Sequence, residues 1–229
     1  MRDIFLPHRA IAVVALLLLN SAKGLLYSPA SKVAVTGGTG KLGRAAVQLL
    51  SSGGTPVRVL SRHDVDASAL PSCAPDATAA QVTAYYAALP NVELVKGDAT
   101  DAASVARLLE GCGACLALHG ATRRRKLSDV LRPWIDPSRR DRTHARSVNF
   151  ESMRHVLAAM EAHPSCRRVV RVTGKGETPW SLFSILINGL GSMAKAWNYA
   201  GETLLREASV VRQLSMPLRC FTGYPSRYR

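Results

Sequence analysis

Eight residues limit what this chain can fold into more than any others: Thr36-Gly-Gly-Thr-Gly-Lys-Leu-Gly43, with Gly37, Gly40 and Gly43 spaced three apart. They follow a short apolar run, Lys32-Val-Ala-Val-Thr36. They lead into a stretch where Leu42, Ala45, Ala46, Leu49 and Leu50 recur at helical spacing until Gly53 and Gly54 end it. Glycines so placed let the backbone turn sharply, approach an anion closely and pack helix against strand. The helix N-terminus then offers unpaired N–H groups and the positive end of its dipole. Strand, glycine turn and helix in this order predict a pyrophosphate cradle made by Gly37, Thr39, Gly40, Lys41, Leu42 and Gly43.

The remaining pattern alternates in the same way. Strands are expected at Val57–Leu60, Asn91–Lys96, Ala114–Leu118 and Arg168–Val172. A helix over about Thr143–His163 carries Met153, Val156, Leu157 and Met160 on one face, and a later one carries the stripe Met193, Trp197, Ala200 and Leu204. Alternation of this kind predicts an α/β fold, a doubly wound parallel sheet spanning residues 31–229 as one domain. The connection Asp66–Pro90 is too long for a simple loop and predicts an inserted helix. After the last helix, Leu218–Phe221 is the candidate sixth strand.

Composition narrows the class. Of the 229 residues 47% are hydrophobic and 20% charged, which excludes an intrinsically disordered chain. No run of 18 apolar residues occurs, which excludes a multi-span membrane protein. Thirty Lys and Arg against sixteen Asp and Glu give a net charge of +14, favouring anionic partners. Five cysteines, an odd number without regular spacing, do not form a disulfide framework, and the single pair Cys112-Gly-Ala-Cys115 lacks the second pair that zinc requires, so no metal is expected. Residues 1–24 are expected to be a signal peptide or signal anchor: Arg2 and Arg9, then nine apolar residues Ile11–Leu19, then the small Ser21 and Ala22. Nine helical residues span only about half of a bilayer core. The segment Arg123–Arg146 holds nine basic and three acidic residues and no aromatic stacking pattern. That suits a solvated loop, or docking on an acidic protein partner or an anionic membrane surface, better than nucleic acid.

At the end of the second strand a site for NAD would present Asp or Glu to the ribose 2′-hydroxyl. Here stand Ser61, Arg62 and His63. A guanidinium suits a 2′-phosphate through paired charge-assisted bonds, so Arg62 favours NADP, with NAD less favoured.

The segments Thr36–Gly43, Pro56-Val-Arg-Val-Leu-Ser-Arg62, Val95-Lys-Gly-Asp98 and Val148-Asn-Phe-Glu151 together resemble the atypical short-chain dehydrogenase/reductases. More narrowly, they are similar to the NmrA-like and plastid NAD(P)-binding proteins. The resemblance covers about Lys32–Arg206 and implies a Rossmann fold. It places Asp98 near the adenine, His119 and Gly120 along the cofactor after the fourth strand, and Thr173 where such enzymes carry a catalytic Ser or Thr. Read from the residues alone, Asp98 is a cap or turn residue. The resemblance also gives the expected signal segment a destination: in an organism with complex plastids, entry to the secretory pathway is the first step of plastid import.

The chain departs from the family where chemistry is done. Short-chain dehydrogenases place Tyr and Lys four residues apart on one helix, the Lys lowering the phenol pKa. Here Tyr199 is followed by Thr203, while Lys195 lies one turn earlier on the Tyr199 face and approaches from the other direction. Tyr199, Thr173 and Lys195 are the candidate catalytic set. The family also continues into a small substrate-binding subdomain, expected here to be absent or truncated. Three functions compete: an NADPH-dependent oxidoreductase with an incomplete Tyr/Lys pair, a non-catalytic NADP-binding scaffold or redox sensor, and a basic nucleic-acid-binding protein, which the glycine turn disfavours.

Overall fold

The computed structural model describes residues 31–122, 141–173, 182, 188, 193–208 and 212–217. The expected signal segment 1–24, most of the basic segment Arg123–Arg146 and the candidate strand Leu218–Phe221 lie outside them.

Six parallel strands form one sheet: β1 (Lys32–Thr36), β2 (Val57–Ser61), β3 (Val92–Lys96), β4 (Cys112–Ala117), β5 (Arg168–Thr173) and β6 (Arg212–Pro217). Their spatial order is β3-β2-β1-β4-β5-β6, so the winding reverses between β1 and β4. That reversal opens a crevice at the carboxyl ends of β1 and β4, where doubly wound sheets bind ligands. The helices are α1 (Lys41–Ser52), α2 (Ala79–Ala87), α3 (Ala102–Leu109), α4 (Ser152–Ala162) and α5 (Ala194–Glu207), with one π-helical turn at Ser147–Glu151 leading into α4.

Each strand contributes alternate residues to two cores. Val33 and Val35 pack with Val47, Val57, Val59, Val82 and Tyr86 beneath α1 and α2. On the opposite face Ala34, Leu60, Cys115 and Val169 pack with Leu108, Met153, Val156, Met160 and Leu205 beneath α3, α4 and α5. This period-two division is what a sheet covered on both faces requires.

The inserted helix expected within Asp66–Pro90 is α2, started by a capping box in which Thr78 Oγ1 accepts from the Gln81 N–H and Gln81 Oε1 accepts from the Thr78 N–H. Three expectations need correction. The sixth strand is Arg212–Pro217, in register with β5, and not Leu218–Phe221. Its backbone pairs along all of Arg168–Thr173. Met193 does not belong to the apolar stripe of α5. It sits ahead of the helix at φ +58° with half its surface exposed, and Gly201 and Leu205 are the buried positions instead. The helix expected over Thr143–His163 is π-helical over Ser147–Glu151 and regular α-helix only from Ser152. Helix α3 was not expected. Its signals are an N-cap, Asp101 accepting from Ser104 N–H at 2.9 Å, and a buried stripe of Val105, Leu108 and Leu109.

Candidate functional site: the crevice between β1 and β4

Gly37 leaves β1 at φ +73°, a conformation that costs an L side chain energy. A Cβ there would also meet the His119 backbone nitrogen at 2.6 Å. The Gly40 N–H donates to the Gly37 carbonyl at 3.1 Å, closing the turn, and Gly40 then caps α1 with no side-chain hydrogen bond. A Cβ on Gly43 would lie 2.6 Å from the Gly38 Cα, with the Gly37 carbonyl closer still. The turn is a cradle that side chains would fill. No acidic residue occupies the first turn of α1. The helix therefore presents its first N–H groups and its dipole with nothing of its own to neutralise them. Lys41 is exposed at this end, Thr39 and Leu42 are partly buried, and Gly43 is buried.

The outer wall of the turn comes from the inserted segment. Tyr86 is fully buried and its hydroxyl donates to the Gly38 carbonyl at 2.8 Å. Burial raises the Tyr86 phenol far above its ordinary value, so it remains a donor. Arg44, on α1, donates through Nη1 to the Ala74 and Ala77 carbonyls and through Nη2 to the Pro75 carbonyl, fastening the segment to the helix.

His119 follows β4 and bridges the crevice floor. Its Nδ1 lies 2.6 Å from Thr36 Oγ1 and its Nε2 lies 2.8 Å from Ser152 Oγ. The Ser152 hydroxyl donates its one proton to the Val148 carbonyl at 2.5 Å, so it accepts from Nε2–H; the Thr36 hydroxyl is 3.4 Å from the Leu116 carbonyl and much closer to Nδ1, to which it donates. Desolvation, reinforced by the positive Arg171 nearby, holds the His119 imidazole down at about 4. The Val148 backbone opposes this, and Asp98, just after β3, does so more weakly. The ring is neutral at physiological pH.

Asn149, in the π turn, ties the rim together. Its Oδ1 accepts from Ala121 N–H at 3.0 Å, and its Nδ2 donates to the Ala194 carbonyl at 3.1 Å. Its own carbonyl accepts from Arg171. Thr36, Asn149, Ser152 and Arg171 were not expected as site residues. The signal available for Asn149 was its place in the quoted segment Val148–Glu151.

The expected residues distribute as follows. Gly37, Thr39, Gly40, Lys41, Leu42, Gly43, His119 and Gly120 meet at the crevice. Arg62 is exposed immediately after β2, on the same carboxyl edge of the sheet. Asp98 closes a local turn, its Oδ1 accepting from both the N–H and the hydroxyl of Thr100 at 2.9 Å, as the residues alone suggest. Thr173 is the last residue of β5. Lys195 and Tyr199 both lie on α5, Lys195 partly buried and Tyr199 49% exposed.

This architecture defines a doubly wound dinucleotide-binding domain. The NAD(P)H-binding family model matches residues 37–210, and the chain belongs to that family. No curated protein matches the sequence. Among solved structures, NmrA, a negative transcriptional regulator in complex with NADP, is 14% identical with a TM-score of 0.52, over 83% of this chain and 45% of that one. The Bordetella bronchiseptica enzyme WbmF in complex with NAD+ and UDP is 18% identical with a TM-score of 0.53, over 82% and 49%. A short-chain dehydrogenase/reductase superfamily protein from Agrobacterium tumefaciens with bound NAD is 21% identical with a TM-score of 0.51, over 80% and 48%. The chain thus spans about half the length of these structures, and at such identities they establish the shared fold.

Proposed function

We propose that the protein binds NADPH in the β1/β4 crevice and uses it to reduce a carbonyl substrate. The observation that supports binding most directly is the uncapped N-terminus of α1 behind a turn that no Cβ could enter at Gly37 or Gly43. Gly37–Gly43 hold the pyrophosphate on backbone N–H groups, and Arg62 pairs with the 2′-phosphate. Calorimetry is expected to give tighter binding of NADPH than NADH, with Arg62→Ala narrowing the gap by roughly tenfold, the loss of one charge-assisted pair. Equal affinities in the wild type would remove Arg62 from the site.

Bound NADPH supplies the hydride. The chain's part is to hold the carbonyl and deliver a proton to its oxygen: Thr173 at the end of β5 holds that oxygen, the Tyr199 hydroxyl donates the proton, and Lys195 favours the phenolate left behind. A second reading, a cofactor-binding scaffold or sensor without chemistry, is favoured by Thr203 at the family's lysine position and by the exposure of Tyr199. NADPH consumption across a panel of aldehydes and ketones separates the two. In the catalytic case Tyr199→Phe lowers turnover by about 10²-fold or more with cofactor affinity intact, and Lys195→Met lowers it less. Unchanged rates in both variants select the scaffold.

A further inference from the structure

The core beneath α4 and α5 contains a cation. Arg171 is the fourth residue of β5, paired through the backbone with Ala117 of β4 and Ser215 of β6, and only 2% of it is exposed. Its Nη2 donates to the Asn149 carbonyl and to Asn198 Oδ1, both at 2.7 Å. Its Nη1 is buried without a hydrogen-bond partner. Gly201 makes the space: a Cβ there would collide with Nη1 and with the Asn149 carbonyl. Glu202 acts on the guanidinium only at a distance, since its own carboxylate is held by Arg206. An interior cation with a donor left unpaired is expensive, and an apolar side chain on this face of β5 would pack without that cost.

The position of the charge gives it a task. The Asn149 carbonyl it grips belongs to the residue that holds Ala121 and Ala194, and Asn198 immediately precedes Tyr199 on α5. The ring of His119 is faced by Thr36 from β1, by Ser152 from the start of α4, by the Val148 carbonyl from the π turn, by Asp98 just after β3 and by Arg171 from β5. Of these Arg171 is the cation, and protonating His119 would also require Thr36 to reverse its hydrogen bond.

We propose that Arg171 is the positioning residue of the crevice, its guanidinium fixing the π turn and α5 against β5 behind the His119 bridge between Thr36 and Ser152. The inference rests on the reading of the crevice as a dinucleotide site for its consequence, and on the apo protein alone for its mechanism. The test is imidazole NMR on the cofactor-free full chain, with the His119 signal identified by its loss in His119→Gln. In the wild type that signal stays neutral from pH 8 to pH 5. In Arg171→Gln, which removes the charge, it titrates about one pH unit higher, whereas Arg171→Lys, which keeps the charge and loses the fork, leaves it near the wild-type position. NADPH affinity follows: flat with pH in the wild type, about twofold weaker at pH 5 than at pH 8 in Arg171→Gln. Indistinguishable titrations in the Gln variant and the wild type overturn the proposal. So does a wild-type His119 that protonates near 6.5, a measurement that stands even if Arg171→Gln does not fold. Absence of NADPH binding by the wild type would defeat the functional reading and leave the NMR result to decide Arg171.

Discussion

Gly43→Ala is expected to abolish NADPH binding while leaving a folded protein. The added Cβ meets the Gly37 carbonyl and lies 2.6 Å from the Gly38 Cα and 2.8 Å from the Gly37 carbonyl carbon, all backbone atoms that no rotamer change can move aside. Either α1 shifts away from β1 or the turn opens, and both displace the N–H groups that the phosphates require. Overpacking of this kind costs about 1–3 kcal/mol of stability. The loss of affinity is larger, on the order of 10²-fold or more, because several aligned donors are misplaced together. Gly54→Ala is the matched control. Gly54 has a positive φ, of 75°, and nothing lies within 4 Å of its Cβ position. That variant loses about 1 kcal/mol of stability and no affinity for cofactor. Calorimetry for binding and thermal denaturation for stability distinguish the two, and tight NADPH binding by Gly43→Ala would disprove the cradle.

The second large effect is at Tyr86. The ring is wholly buried among Val47, Val59 and Val82, so Tyr86→Ala removes most of an aromatic side chain from a closed core and is expected to cost about 3–5 kcal/mol. Tyr86→Phe keeps the ring and deletes only the donor to the Gly38 carbonyl, at about 1 kcal/mol, with a several-fold loss of NADPH affinity as the turn loses its outer support. Chemical denaturation of both variants reads the stability. A Phe variant with wild-type affinity would mean that the sheet alone sets the shape of the turn.

The parts of the fold legible in the sequence are those with a short-range physical signal. β1, α1 and β2 were readable because apolar alternation, a glycine turn and helical spacing succeed one another within thirty residues. The inserted helix was readable as excess length. Helix α3 was not, because eight residues give barely two turns of periodicity, and its Asp101 cap resembles any loop aspartate. Arg171 was missed for a different reason. In Arg168-Val-Val-Arg-Val the arginines look like solvent-facing members of a strand, and only the glycine at position 201, thirty residues away, makes room for one inside. The π turn coincides with the three-way bonding of Asn149 to residues 121, 171 and 194, which leaves no local trace. The sixth strand leaves little signal, because Arg212–Pro217 opens on two polar residues and contains no β-branched residue.

The His119 bridge also bears on the order in which the molecule assembles. It joins residues 83 apart in sequence on one side and 33 apart on the other, across three separate chain segments. Contacts of such separation carry a loop-closure cost that helices and neighbouring strands avoid, so they consolidate after the local elements exist. A nascent chain can therefore build its hairpin-free βαβ units and still lack a usable crevice until β4 and α4 have both arrived. The same junction is among the first places where a nearly folded molecule reopens, which makes ligand occupancy a means of delaying that reopening.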